Sequence, residues 1–333
     1  MEQELPYSID GALAMGTPGS GLVCVLNQAL DAAFVARAVL APGDGGLVLA
    51  GLPADLGPVS RRWAAVLDAA QQTPAGQARI ALAAAIPQLP CWGVDETAGG
   101  PPAAADAEAV QEGYFEELRY VCASGPRLAV RALVESLAGN PSWTAGVDFA
   151  ALFAAAGAQA RGTVRTLYDR AGLDLAADLA LVSQFPRVEP DPAGVEYARE
   201  STFDDTLVRP LLFLAATGDP LIPVSNSGPL EAGARRAGAA GLLRMCYVQA
   251  PGHATFTAAE IAAALTVLTE RIDAGTWPDT SPDMMNLRGR YLTSAASPAR
   301  FTDYDPGPGY RPFYAYSQYP GQRRSSPLGP ATN

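Results

Sequence analysis

Two uninterrupted apolar runs constrain this chain more than any other feature. Pro210-Leu211-Leu212-Phe213-Leu214-Ala215-Ala216 carries no polar side chain over seven residues. A strand buried on both faces of a parallel sheet reads this way, whereas a strand with one wet face alternates. Leu243 to Gln249 is a second run of the buried type. Helical spacing over 227–239 separates the two, and 257–274 has the apolar stripe of an amphipathic helix. Strands joined through a crossover helix lie parallel, so this order predicts a doubly wound α/β sheet. A third short apolar run, Ile9 to Met15, ends in the turn sequence Gly16-Thr17-Pro18-Gly19-Ser20-Gly21, and 23–40 then has apolar positions at helical spacing.

Between the first run and the other two lies a long helical region. The periodicity predicts helices over 59–72, 75–86, 105–122, 126–138, 148–157 and 158–171. Trp63, Trp92 and Trp143 are its largest candidates for burial or for substrate contact. From Thr276 the pattern changes: six of the twelve Tyr, many Pro and few aliphatics predict an irregular wrap whose last ten or so residues are disordered.

Charge and rare residues exclude several functions. The formal net charge is −11 and there is no Lys at all, so a nucleic-acid partner is not expected and Schiff-base or P-loop lysine chemistry is excluded. One His and four scattered Cys (Cys24, Cys91, Cys122, Cys246) predict no metal site, and no motif calls for a cofactor. The cysteines read as small buried hydrophobes, with a Cys91–Cys122 bridge open if the protein is exported. No uncharged apolar run reaches the ~18 residues of a membrane span. The acidic N-terminus has no signal-peptide pattern, which places the chain as it stands in the cytoplasm, or outside the cell if a longer N-terminus exists.

Ligands of parallel sheets gather at the carboxyl ends of the strands. Asp219 follows the first long run and His253 follows the second. Taken alone, Asp219 is equally a helix N-cap. Taken in order, an acid after one strand and a histidine after the next are the orienting carboxylate and general base of a Ser-His-Asp triad.

Residues 212–224 (Leu-Phe-Leu-Ala-Ala-Thr-Gly-Asp-Pro-Leu-Ile-Pro-Val) and 247–253 (Tyr-Val-Gln-Ala-Pro-Gly-His) resemble the acid and histidine turns of the α/β-hydrolase superfamily. The acid turn is similar to that of bacterial esterases and prolyl-peptidase-like enzymes. Residues 10–16 (Asp-Gly-Ala-Leu-Ala-Met-Gly) resemble the strand after the nucleophile helix in secreted members. The resemblance implies a partial hydrolase core over 1–21 and 206–275, built on the last three strands. It also implies a helical cap over 22–205 and an extension over 276–333. It implies a serine hydrolase, a carboxylesterase or peptidase-like enzyme, acting on a small apolar ester or amide, with Asp219 and His253 as catalytic residues.

No Gly-x-Ser-x-Gly nucleophile elbow stands in the chain. Ser20 is the one weak candidate for an unconventional nucleophile, and Ser225 and Ser227 lack a strand of their own. Without the preceding strands, strand 9–15 presents an unpaired edge, an association hazard. Three outcomes follow: a chain truncated at its N-terminus, a second chain supplying the missing strands and the serine, or a non-catalytic ligand-binding or interaction protein. The first is preferred; a second chain and self-association through the edge are the partners left open.

Overall fold

The computed structural model describes residues 9–204, 206–292, 298–307 and 309–322. The disorder expected of the last ten or so residues falls on 323–333, outside the described residues.

The three apolar runs form three parallel strands. β1 is Ala12–Met15, β2 is Leu211–Gly218 and β3 is Leu243–Pro251, and a two-residue β4, Phe301–Thr302, pairs antiparallel with β3. The sheet order is β1-β2-β3-β4, with Leu13 beside Leu212 and Phe213 beside Met245. Successive residues of β2 point to opposite faces, and both faces are covered. Leu212, Leu214 and Ala216 pack with Ala263, Ala264 and Val267 on one side, and Phe213 and Ala215 pack with Leu230 and Ala234 on the other. This two-sided burial is why the run carries no polar residue.

Nine helices stand between β1 and β2 among the described residues: α1 (Gly21–Leu40), α2 (Gly57–Gln71), α3 (Pro74–Ala85), α4 (Ala107–Arg119), α5 (Pro126–Ala138), α6 (Phe149–Ala155), α7 (Ala158–Ala171), α8 (Leu175–Gln184) and α9 (Pro192–Arg199). A π-helical turn, Tyr120–Ser124, joins α4 to α5. α10 (Gly228–Arg236) and α11 (Ala258–Ala274) flank β3, and α12 (Pro282–Leu292) follows. The architecture is a partial α/β sheet with a large helical insertion.

By length and composition α1 is apolar enough to cross a membrane, yet 89% of its apolar window is buried inside the protein. A helix that is apolar all round belongs at the centre of a helical layer. There Phe34 stacks on Phe149 with ring centroids 5.1 Å apart, and Leu30 and Val35 join Trp63, Leu67 and Ile80 in the largest core cluster.

Two expectations are corrected. The stretch after Thr276 is not simply irregular: α12 forms on it, and β4 adds to the sheet edge. Its Pro282 start and single fully buried Met285 give little apolar period to read. It does wrap, since Phe313 and Tyr319 pack with Val23, Cys24 and Trp143. Cys91 and Cys122 are not bridged, and all four cysteines are free.

Candidate active site

The acid turn begins where β2 runs out of sheet. The strand register shifts between Ala216 and Gly218, which leaves Gly218 opposite Pro251. Asp219 comes next and is 1% exposed. Its Oδ1 accepts hydrogen bonds from the backbone N–H of Leu221 and Ile222, both at 2.9 Å. Its Oδ2 faces Nδ1 of His253 at 2.8 Å. One carboxylate therefore does both things open to it in the sequence: one oxygen caps the local turn and the other holds the imidazole.

The histidine turn is tight. Gly252 has φ +79 and Ala254 has φ +58, so His253 stands between two left-handed residues, and the non-glycine one is strained. The Gly252 N–H donates to the carbonyl of Gly93 at 2.9 Å and of Gly218 at 3.2 Å. Gly16, with φ +58 after β1, lies against the ring: a Cβ there would sit 3.4 Å from Cε1 of His253.

With Nδ1–H donating to Asp219, Nε2 is left as the proton acceptor. Among the described residues nothing hydrogen-bonds to Nε2, and the side chain is 35% exposed. The bond to Asp219 raises the imidazole pKa above its usual value, and partial burial opposes the rise. The imidazole is thus held in one orientation with Nε2 open.

None of the serines considered above engages that nitrogen. Ser20 is buried and donates to Oδ1 of Asn226 at 3.2 Å. Ser225 donates to the carbonyl of Gln88 and accepts from Gln28, and Ser227 is bonded to the Val224 carbonyl and to Tyr247. No cluster of side chains fit to hold a metal ion occurs among the described residues.

A loop from the helical insertion braces the dyad. Gly93 passes so close to the acid turn that a Cβ would stand 1.8 Å from the Gly218 carbonyl oxygen, and its φ of +102 also demands glycine. Trp92 backs onto the same turn, since a Cβ on Gly218 would lie 2.7 Å from its Cε2. On the other side of Trp92 a cleft of about 470 Å³ opens at the carboxyl ends of β2 and β3, where Thr217 and Gln249 line it; neither dyad residue does.

The chain is 31% identical over 322 residues to an o-phthalyl amidase of Xanthobacter agilis, across 89% of this chain and 69% of the amidase. The chain belongs to the o-phthalyl amidase family. It is thus a member of a hydrolase family. No family model and no solved structure matches it.

In this member of the o-phthalyl amidase family a buried polar network, which pattern reading missed, stands behind the acid turn. Arg127 and Glu117 are both fully buried, with Nη1 and Oε1 3.7 Å apart. Arg127 donates to the carbonyl of Val25 and to Oε1 of Gln28, at 3.3 and 3.1 Å. Gln28 donates to the Pro87 carbonyl and to Ser225, and Nδ2 of Asn226 donates to Gln28 at 2.9 Å. Gln28 thereby ties residues 225–226, just past the acid turn, to α1. Burial pushes the Glu117 pKa well up, Arg127 opposes this, and the negative charge of Asp219 adds to the rise. One signal was present in the sequence: Asn27, Gln28 and Asp31 interrupt an otherwise apolar helix, and a buried polar group needs a partner.

Proposed function

We propose that this chain is an amide hydrolase of the serine-hydrolase type in which His253 is the general base and Asp219 its orienting acid. The observation that carries the reading is the 2.8 Å contact between Nδ1 of His253 and the buried Oδ2 of Asp219, with Nε2 left open. Membership of an amidase family supports amide over ester as the bond cleaved.

In this reading Nε2 takes the proton of an attacking hydroxyl as its oxygen adds to the amide carbonyl. The imidazolium that forms is stabilised by Asp219 and returns the proton to the departing amine. The hydroxyl approaches the open Nε2 edge of the ring, away from the Cε1 edge that Gly16 lies against. Its source is a serine encoded upstream of Met1 or carried by a second chain that pairs with β1. The helical segment 22–205 serves as a cap over the site.

The test is hydrolysis of N-phthalyl amides and of nitroanilides by the protein, its Asp219→Asn and His253→Ala variants, and the product of the longest in-frame upstream sequence. A loss in kcat of about 10⁴ is expected for Asp219→Asn and of about 10⁶ for His253→Ala, by analogy with other triads. A fluorophosphonate probe should label one serine. Turnover untouched by both substitutions removes the dyad from catalysis. No turnover and no labelling in any form favours a ligand-binding protein.

A further inference from the structure

We infer that Gln28, a buried amide of α1, is a positioning residue for the dyad, holding the Asp219 turn and the His253 turn in register with each other. Its part in catalysis rests on the amidase reading; the coupling of the two turns rests on hydrogen bonds alone.

Gln28 is fully buried and uses its whole hydrogen-bonding capacity. Nε2 donates to the Pro87 carbonyl at 2.7 Å and to Oγ of Ser225 at 3.1 Å. Oε1 accepts from Nδ2 of Asn226 at 2.9 Å and from Nη2 of Arg127 at 3.1 Å. Thus α1, the loop after α3, α5 and the short 3₁₀ turn Val224–Asn226 meet at one amide. The guanidinium on Oε1 polarises that amide and strengthens both donations from Nε2. Packing alone asks only for an apolar side chain here, as the rest of this apolar helix shows.

Two of those segments carry the catalytic turns. Residues 224–226 close the acid turn: the Asn226 N–H donates to the Pro223 carbonyl at 2.8 Å, and Pro220 and Pro223 stiffen the chain back to Asp219. The loop 87–93, stiffened by Pro87 and Pro90, reaches the histidine turn. There the Gly252 N–H is shared between the Gly93 carbonyl, at 2.9 Å, and the Gly218 carbonyl of the acid turn, at 3.2 Å. The loop is therefore wedged at the seam between the turns, and Gln28 anchors its near end. Ser225, bonded to Gln28, ties the same loop again through the Gln88 carbonyl at 3.3 Å.

The charged groups about His253 are Asp219, bonded to its Nδ1, and Glu96, whose Oε1 would stand 3.0 Å from a Cβ on Gly252. Neither is bonded to Gln28, so replacing the amide reaches the imidazole by moving the turns.

The experiment compares Gln28→Met, Ser225→Ala and Leu30→Ala in the whole chain. Leu30 is buried in the same helix and makes none of these bonds, so its variant controls for lost stability. The NMR midpoint of His253 and the thermal midpoint are measured in each. Wherever a form of the protein hydrolyses amides, kcat and KM are measured separately. Gln28→Met should lower the His253 midpoint by about half a pH unit, an about threefold weaker hold of Asp219 on the charged ring. It should lower kcat about tenfold and change KM less than about twofold, as displaced catalytic groups do. Ser225→Ala, a small deletion that leaves the Asn226 tie, should move the His253 midpoint the same way by less. Leu30→Ala should lower the thermal midpoint and leave the His253 midpoint in place. If Gln28→Met does not fold, Ser225→Ala decides. A His253 midpoint unmoved by the Gln28 and Ser225 substitutions, or moved equally by Leu30→Ala, overturns the inference. The two readings fail separately. A shifted midpoint without amide turnover by any form of the protein keeps the coupling and sinks the amidase. Turnover with kcat and midpoint untouched by Gln28→Met does the reverse.

Discussion

At the scale of single residues, His253 offers an unusually direct readout because it is the only histidine in the chain. Its imidazole resonances titrate alone in an NMR experiment. The midpoint should lie above the ~6.5 of a free imidazole, because Asp219 favours the charged ring. Asp219→Asn should lower it. The sign carries to function: a base works when neutral, so kcat/KM should rise with pH through that elevated midpoint. The sign for stability is opposite. The Asp219–His253 pair supports the fold fully below the unfolded-state pKa, and its contribution fades as pH rises through the folded-state value. The buried Glu117–Arg127 pair gives a second prediction. Arg127→Met removes the cation that opposes burial, so Glu117 should be held as the neutral acid. Urea unfolding should show a loss smaller than the about 3–5 kcal/mol of a broken buried ion pair, with replacement of both partners by apolar residues costing less still. Asp219 and His253 were legible because each follows a strand that the sequence marks plainly. Glu117 and Arg127 were not, because nothing local tells a charged residue on a helix that its face will be covered.

Among the elements, legibility followed burial symmetry. β2 is covered on both faces and α11 on one, and each imposes its own period on the residues. α11 is also punctuated: Thr257 and Glu260 form a capping box, and Gly275 ends the helix in the left-handed conformation. Thr257→Ala should lower stability by about 1 kcal/mol and Thr257→Ser by less, as read by thermal unfolding. α9 and β4 were missed because eight and two residues are too short to show a period. α8 fell inside a stretch read as generally helical, although Asp174 marks its start by accepting from Ala176 and Ala177. The loop carrying Gly93 was invisible to periodicity, since it is defined by closeness to another turn. Gly93→Ala should push that loop off the acid turn, and the His253 NMR midpoint should fall with it.

For the whole molecule the decisive feature is the outer side of β1. Among the described residues this strand pairs only with β2, and its last residue, Met15, is 36% exposed. Leu265 and Ile272 of α11, also partly exposed, add apolar surface on the helix packed over it. Sedimentation of the chain should show association that grows with concentration, and Met15→Lys, a charge placed on the edge, should reduce it. Unchanged monomeric behaviour up to the highest soluble concentration would remove the edge as an association site.

The wrap of the C-terminal segment over α1 has a temporal side. Asp31 lies wholly buried in α1, and its partners are the Tyr310 hydroxyl, at 2.7 Å, and Arg311, which stand 279 and 280 residues later. A nascent chain emerging from the ribosome therefore carries an unanswered carboxylate in α1 until residues 310 and 311 have been made. Closing so distant a contact is slow. The helical layer should become resistant to protease only after residue 311 has left the exit tunnel.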